Sequence, residues 1–276
     1  MLTLFVVNEL SYDRHFANAD RIVNLSSISV SEGNTNYWAI NLRKAYTEVP
    51  QKVPGIELTT QIMNWYEIAV LSNGQQFDNV SLLYADPEFF QVFQTAFVEG
   101  SPESALTDSG SVVITDEQAT GIFGSPAEAM GKPLNVDERD VIVTAVVKKF
   151  PVNTHFNFDA VLNIEPHAHH GWLEYFTFYL VEKGASVEDV RKGIETEYSK
   201  ILKDQFREFT DDAWGTTQMM TDMYLKSEAS WTLDKKNDMK FIWLLCIVLL
   251  LIMVLAITNF INLFIPQGAT RMTELG

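Results

Sequence analysis

Cysteine is all but missing from this sequence of 276 residues: Cys246 is the single one, and it lies inside an apolar run. The rest of the chain therefore forms no disulfide and offers no thiolate metal site, which leaves the redox compartment open. Positive charge is scarce as well. Lysine and arginine number 20 against 36 acidic residues, for a net charge of −16. An acidic surface repels phosphate backbones and anionic headgroups alike, so nucleic acid is excluded as a partner and the domain is a poor candidate for lying flat on a membrane.

Catalytic signatures are lacking too. The sequence holds no G-x-S-x-G elbow, no H-E-x-x-H pair and no activated cysteine. Gly124–Lys132 (GSPAEAMGK) has a superficial likeness to a phosphate loop, but its glycines stand too far apart and Pro133 occupies the place of the magnesium-binding Ser or Thr. His167, His169 and His170, flanked by Glu165 and Glu174, carry the right donor chemistry for zinc. Near neighbours on one loop rarely converge on one ion, so the cluster is read as a polar loop. The sequence thus assigns no catalytic, cofactor-binding or metal residue, and the chain is not expected to be an enzyme.

What is present is a chain with two solvents. Phe241 to Ile265 runs 25 residues without a charge. At ~1.5 Å per residue such a helix is ~37 Å long, enough to cross a ~30 Å hydrocarbon layer. A buried core helix of that length carries a polar stripe, and none shows here before Thr258. Thr258, Asn259 and Asn262 follow at helical spacing. Thr258 and Asn262 share a face that is costly to turn toward lipid, so that face is expected to meet another helix. Pro266 is expected to end the run. At the other end Met1–Val7 is apolar but too short to span and lacks the marks of a signal peptide, so residues 1–10 read as the tail of a preceding membrane helix.

Between these ends the pattern is mixed. Arg21–Val30 predicts a strand, with a turn at Glu32, Gly33 and Asn34, and Tyr37–Val49 predicts a helix stopped by Pro50. Glu57–Leu71 and Gln76–Tyr84 predict a hairpin turning at Asn73 and Gly74. Asp86 and Pro87 predict a capped short helix whose Phe89, Phe90 and Phe93 serve packing. Val112–Ile114 predicts a strand, followed by a helix with a Thr115/Gln118 capping box and an end at Gly124. Val141–Val147, apolar on both faces, predicts a central strand. Phe176, Phe178 and Leu180 predict one face of a strand. Ser186 predicts the cap of a helix burying Val187, Val190, Ile194, Tyr198, Ile201 and Leu202, and Met219–Leu225 predicts a last strand. Strand, helix, strand at both ends of a β-rich middle implies an α+β module carrying an inserted subdomain.

Several blocks resemble the MacB-like and FtsX-like permeases of bacterial ABC transporters: ELSYDRHFANADRI (Glu9–Ile22), YADPEFFQVF (Tyr84–Phe93), VEGSPESAL (Val98–Leu106), SVVITDEQATGIFG (Ser111–Gly124), MGKPL (Met130–Leu134), VTAVVKKFPVNTHFNFD (Val143–Asp159) and NFINL (Asn259–Leu263). The resemblance implies an extracytoplasmic domain over residues 11–237, with a mixed α/β porter-like part and a mainly β insertion at about 86–170. A transmembrane helix at 241–265 and the start of a cytoplasmic coupling segment at 266–276 follow. Thr258, Asn259, Asn262, Arg271, Glu274 and Gly276 become the helix-contact and coupling residues. No cofactor is implied. The implied partners are a cytoplasmic ABC ATPase subunit, a second permease copy or homologue, a periplasmic adaptor or lipoprotein, and membrane lipid. The location implied is the bacterial inner membrane, multi-pass in the full-length protein. The implied activity is mechanotransmission: ATP hydrolysis by the partner moves the outer domain to export or extract a lipoprotein, peptide or amphiphile. The alternatives are a tethered sensor or adaptor without transport and a regulator of cell-wall hydrolases. Lys235, Lys236 and Lys240 before the apolar run, against Arg271 after it, favour a cytoplasmic domain by the positive-inside rule; the resemblance favours the opposite side, and is followed here.

Overall fold

The computed structural model describes residues 2–274 apart from 73, 137, 166–171, 231, 234 and 235. In chain order its elements are α1 (Leu2–Leu10), β1 (Ile22–Ser31), β2 (Asn34–Trp38), α2 (Lys44–Thr47), β3 (Ile56–Ser72), β4 (Gln75–Ala85), α3 (Phe89–Val92), β5 (Phe97–Glu99), β6 (Ser111–Thr115), α4 (Asp116–Phe123), α5 (Pro126–Ala129), β7 (Pro133–Val136), β8 (Arg139–Val147), β9 (Ala160–Asn163), β10 (Phe176–Val181), α6 (Val187–Gln205), β11 (Asp212–Met219), α7 (Met220–Lys226) and α8 (Met239–Glu274). Two units result. One is Met1–Leu10 with Asn237–Gly276, and the other is Ser11–Lys236.

The Ser11–Lys236 unit is α+β, built on an 11-stranded sheet in the order β11-β1-β10-β3-β4-β9-β6-β8-β5, with β2 beside β1 and β7 bridging β3 and β8. Most pairs are antiparallel; β4 with β9 and β6 with β8 are parallel. The β1–β2 hairpin turns on Glu32 and Gly33, with φ of 53° and 76°. Positive φ at both central residues is the twist a two-residue hairpin loop needs. Gly74 turns the β3–β4 hairpin at φ 78°; its neighbour Asn73 lies outside the described residues. Thr115 accepts from the Gln118 backbone N–H at 3.3 Å and caps α4, which ends at Gly124 with φ 91°. β8 has strand partners on both sides, as its apolar pattern predicts, although Ile142 is left exposed.

Helix α6 follows its sequence closely. Ser186 accepts from the Asp189 N–H at 3.3 Å, and Val190, Ile194, Tyr198, Ile201 and Leu202 are buried against Val23 and Leu25 of β1 and Tyr179 and Val181 of β10. The Tyr198 hydroxyl accepts from the Leu42 N–H at 2.9 Å, and burial raises its pKa above the usual phenol range. Gly215 of β11 passes against the Tyr198 ring, where a Cβ would stand 2.7 Å from Cδ1. The same helix seals the sheet's edge. Ser199 Oγ accepts from the Gly215 N–H at 2.9 Å, Glu195 Oε1 accepts from the Thr217 N–H at 2.8 Å, and Arg191 donates to the Thr217 carbonyl at 2.7 Å. Such side chains satisfy backbone groups that an open edge strand would offer to another chain.

Four expectations give way to the structure. Tyr37 and Trp38 end β2 rather than open a helix, because the tight turn at Glu32–Gly33 pairs them with Ile28 and Ser27. Helix is confined to Lys44–Thr47. Met219–Leu225 is not a strand: Met220 and Met223, three apart, bury one face of α7, and the strand there is β11, whose inward residues Ala213, Gly215 and Thr217 are too small to show as apolar alternation. Pro266 does not end the apolar helix, which continues to Glu274. Asp86 does not cap α3.

Asp86 serves Arg43 instead. Arg43 is 1% exposed and donates to Asp86 through both terminal nitrogens, at 2.8 and 2.7 Å, to Gln61 Oε1 at 3.1 Å and to Glu165. Asp86 also accepts from the Gln61 N–H at 2.9 Å, so the segment leading into α2 is bolted to β3 and to the end of β4. Burial pushes the Asp86 carboxyl up to about 6 against the pull of Arg43. Burial opposes the Arg43 charge as well, but the hydrogen bonds and charges of Asp86 and Glu165 outweigh it and hold the guanidinium above its usual range. A carboxyl with a raised folded-state pKa binds its proton more tightly folded than unfolded, so its contribution to stability falls as pH rises. Chemical unfolding of the full chain in detergent micelles is therefore expected to show the stability difference between wild type and Asp86→Asn falling by roughly 3 kcal/mol between about pH 4 and 6. Arg43→Met, which strands the carboxylates, is expected to cost about 3–5 kcal/mol at neutral pH.

Candidate functional site

The residues that the sequence singles out for helix contact lie on α8. The membrane-compatible stretch is Met239–Asn262, 24 residues, and Thr258, Asn259 and Asn262 are all exposed on it. The Thr258 hydroxyl donates to the Val254 carbonyl at 2.8 Å, so its proton is used one turn back within the helix. Arg271 and Glu274 belong to the helical continuation, their side chains outside the described residues, as is Gly276. No second element packs on Thr258, Asn259 or Asn262 among the described residues. Cys246 is half-buried on the same helix. At the start of α8, the Asn237 amide donates to Glu9 Oε2 at 2.7 Å and ties the residues just before the span to the last turn of α1.

His167, His169 and His170 lie outside the described residues. Among the described residues no three His, Cys, Asp or Glu side chains stand together to hold a metal ion. A groove of about 510 Å³ opens between Lys52–Gly55 and the first turns of α6, rimmed by Lys52, Lys192, Asp189 and Glu197, charges of both signs that select no one ligand.

A different constellation stands where the chain enters the Ser11–Lys236 unit. Asp13, at φ 57°, is fully buried. Its Oδ1 accepts from the Thr154 hydroxyl and the His155 N–H, both at 2.9 Å, and its Oδ2 meets His155 Nδ1. The Asp13 N–H donates to the Asn153 carbonyl at 3.0 Å, the Asn153 amide reaches Ser11 Oγ at 2.9 Å, and the Tyr12 hydroxyl donates to the Thr154 carbonyl at 2.8 Å. Positive φ suits aspartate better than most residues, and here it turns the carboxylate inward. Tyr12 then stacks on Tyr224 of α7, with ring centroids 3.8 Å apart and planes within 6°, and meets the His155 ring edge-on at 4.9 Å. Phe16, three residues on, joins a phenylalanine cluster centred on Phe93, whose ring lies 4.4 to 5.3 Å from Phe16, Phe89, Phe156 and Phe178.

The outgoing segment is held as firmly. After α7, Ser230 donates to the Tyr37 carbonyl at 2.7 Å and accepts from the Ala39 N–H at 3.1 Å, and Ala229 and Leu233 are buried in the same core as Phe16. This arrangement fastens the incoming segment to the β8–β9 loop and to α7. Sequence reasoning quoted both halves, SYDRHF and PVNTHFNF, without joining them. A buried aspartate and a histidine 142 positions apart leave no periodic signal; the hint is that each polar group sits inside a run of aromatics.

A family model for the MacB-like periplasmic core domain matches residues 1–197. No curated protein matches the chain. Among solved structures, a domain of a protein named as a permease from Porphyromonas gingivalis superposes with a TM-score of 0.63 at 17% identity, covering 74% of this chain and 91% of that one; at that identity the likeness shows the fold alone. The periplasmic region of MacB from Actinobacillus actinomycetemcomitans matches at 14% identity and TM-score 0.49 over 72% of this chain and 90% of its own. The extracellular domain of the noncanonic ABC-type transporter YknZ from Gram-positive bacteria does so at 14% and 0.49 over 71% and 99%. With the family model spanning well over half of the sequence, the chain belongs to the MacB-like ABC transporter permeases, as a periplasmic core domain that continues into an apolar helix.

Proposed function

We propose that the chain is the permease part of a bacterial ABC transporter working by mechanotransmission. ATP hydrolysis by a partner on the cytoplasmic side shifts the membrane helices, and the outer domain follows to export or extract a lipoprotein, peptide or amphiphile. In this reading residues 1–10 end a preceding membrane helix, 11–237 form the extracytoplasmic domain with its β-rich insertion at about 86–170, 241–265 cross the inner membrane, and 266–276 begin the cytoplasmic coupling segment. Thr258, Asn259, Asn262, Arg271, Glu274 and Gly276 meet a second permease copy and the ATPase, and an adaptor or lipoprotein meets the outer domain.

The single observation carrying the reading is the joining of a MacB-like core domain, without a break in the chain, to a 24-residue apolar helix. At ~1.5 Å per residue that helix is ~36 Å long and spans a ~30 Å hydrocarbon core. Exposed hydrophobics such as Leu250, Leu251, Leu255 and Phe260 surround its second half, as suits a helix facing lipid and other helices. The Asn237–Glu9 bond brings the approaches to α1 and α8 together, as suits a domain rooted in one membrane face.

Two measurements test this. In full-length protein with Cys246 replaced by serine, a cysteine at the exposed Gln75 beside the hairpin turn is expected to react with a membrane-impermeant maleimide in intact cells whose outer membrane is permeabilised; labelling only after lysis places the domain inside and ends the proposal. In reconstituted membranes, Asn262→Leu is expected to leave expression and insertion normal but to lower stimulation of the ATPase partner. Interhelical hydrogen bonds of this kind are worth only ~0.6–2 kcal/mol, enough to loosen coupling without unfolding the protein. Unchanged stimulation at normal protein level removes Asn262 from the coupling face.

A further inference from the structure

We propose that the β8–β9 loop, Lys148–Asp159, is the receiving element for motion at the chain's membrane-anchored ends, with Asp13 and His155 as positioning residues and the Tyr12–Tyr224 stack as the clamp that makes the two ends move together. The motion itself rests on the permease reading above; the clamp does not.

The incoming segment has two routes into the domain. One is the backbone, which runs from Asp13 through Phe16 and Arg21 into β1 and so toward the β11–β1–β10 side of the sheet. The other is the cluster at Asp13, and the hydrogen bonds described for the Asp13 carboxyl group and N–H go to residues 153–155. That loop connects β8 to β9, which lie on either side of β6 in the other half of the sheet. A displacement at Ser11 therefore reaches the β6–β8–β9 half directly, not only through β1.

The loop is built to carry the displacement. Phe150 packs on Phe16 and Phe158 at 5.2 Å each, and Phe156 packs on Phe93 at 4.4 Å, so both of its arms are pinned in the core. Close-packed aromatic clusters transmit strain because they have little free volume to absorb it. The buried Asp13 carboxyl group cannot release its donors cheaply, since a buried polar group without hydrogen bonds is unfavourable. Its partners are therefore held as a set. Tyr224 adds the outgoing chain: α7 leads through the anchored Ala229 and Leu233 toward α8, and Tyr224 stacks on Tyr12 and meets the His155 ring edge-on at 6.1 Å.

The test uses hydrogen exchange of the full chain in nanodiscs, alone and with its ATPase partner. Removing one stacked aromatic pair changes a local opening equilibrium by roughly two- to tenfold. Tyr224→Leu is expected to raise exchange by that factor in Ser11–Phe16 and in Lys148–Asp159 as well as in α7, with α6 and β10 unchanged, and Tyr224→Phe, which keeps the stack, is expected to raise it in Ser11–Phe16 and Lys148–Asp159 by less than Tyr224→Leu does. Thr154→Val, which removes one donor to Asp13, is a second variant should Tyr224→Leu fail to accumulate, and it is expected to loosen the same two segments. A rise confined to α7 in Tyr224→Leu, or to the loop in Thr154→Val, overturns the clamp and leaves the permease reading intact. With the ATPase present, nucleotide is expected to change exchange in β6 and β8 of wild type but not of Tyr224→Leu, at equal basal ATP hydrolysis. A nucleotide response in β6 and β8 that survives in Tyr224→Leu overturns the clamp as part of the route, and a wild-type response that bypasses β6 and β8 overturns the loop as receiving element. No nucleotide response in wild type, with an intact clamp, instead removes the mechanotransmission on which the inference rests.

Discussion

Asp13 places a carboxyl group where water has no access, on a backbone turned to positive φ, and residues 153–155 surround it with donors. That requirement reaches outward. The loop bearing those donors must return to the start of the unit from the far side of β8, which draws Phe150 and Phe156 around Phe16 and fixes where α3 can pack through Phe93. The largest core of the domain thus forms around the point at which the chain comes in, and the outgoing α7 closes over it through Met220, Met223 and Tyr224. A hydrophobic cluster alone is indifferent to which chain segment supplies its rings; the buried carboxylate makes this one specific.

The second buried polar cluster has a different character. Arg43 and Asp86 meet with paired, nearly equal hydrogen bonds, and Gln61 ties the pair to β3, to the Leu42 carbonyl and to Thr177 of β10. Arg43 stands just before α2, Asp86 at the end of β4, Glu165 after β9 and Gln61 on β3, so the cluster ties adjacent elements in the middle of the sheet, β10-β3-β4-β9, to one another. The Asp13 cluster instead links segments from opposite halves. The contrast separates a bolt from a joint, and it rests on which elements the partners belong to rather than on the strength of the bonds, since buried ion pairs often contribute little net stability.

Much of this was legible in the sequence where a local rule suffices. The Ser186 cap, the three-and-four spacing from Val190 to Leu202, the Thr115–Gln118 cap and the uncharged run in α8 each carry their own signal, and the structure has them in those places. In the β-rich middle β6 and β8 were legible as strands, whereas β5, β7 and β9 are three or four residues long, too short for alternation to register. β11 was hidden because Gly215 is required by the Tyr198 ring and Thr217 by Glu195, both of them tertiary demands. Pro266 misled because a proline limits a helix only when its missing donor and its ring cannot be accommodated, and an otherwise apolar helix keeps going around it. The Asp13–His155 pair was out of reach for the same reason as β11. Each half looks like ordinary polar punctuation until the other is brought to it.

The sheet itself decides how far a displacement at the joint travels. β3 runs 17 residues and pairs with β10, β4 and β7, so it spans from the α6 side of the core to the β7–β8 hairpin without interruption. β9 meets β4 in parallel on one side and β6 on the other, which makes β6, β8 and β9 part of the same ladder as β3 and β4. The register shifts along β3 against β4, between Asn64 and Glu67 and between Ile68 and Val70, are the places where that ladder is locally irregular. Bulges bend and twist a strand while keeping its neighbours paired. The β3–β4 pair is therefore bent and twisted at Asn64–Glu67 and Ile68–Val70, while β9 at Ala160–Asn163 pairs in unbroken register with β4 and β6.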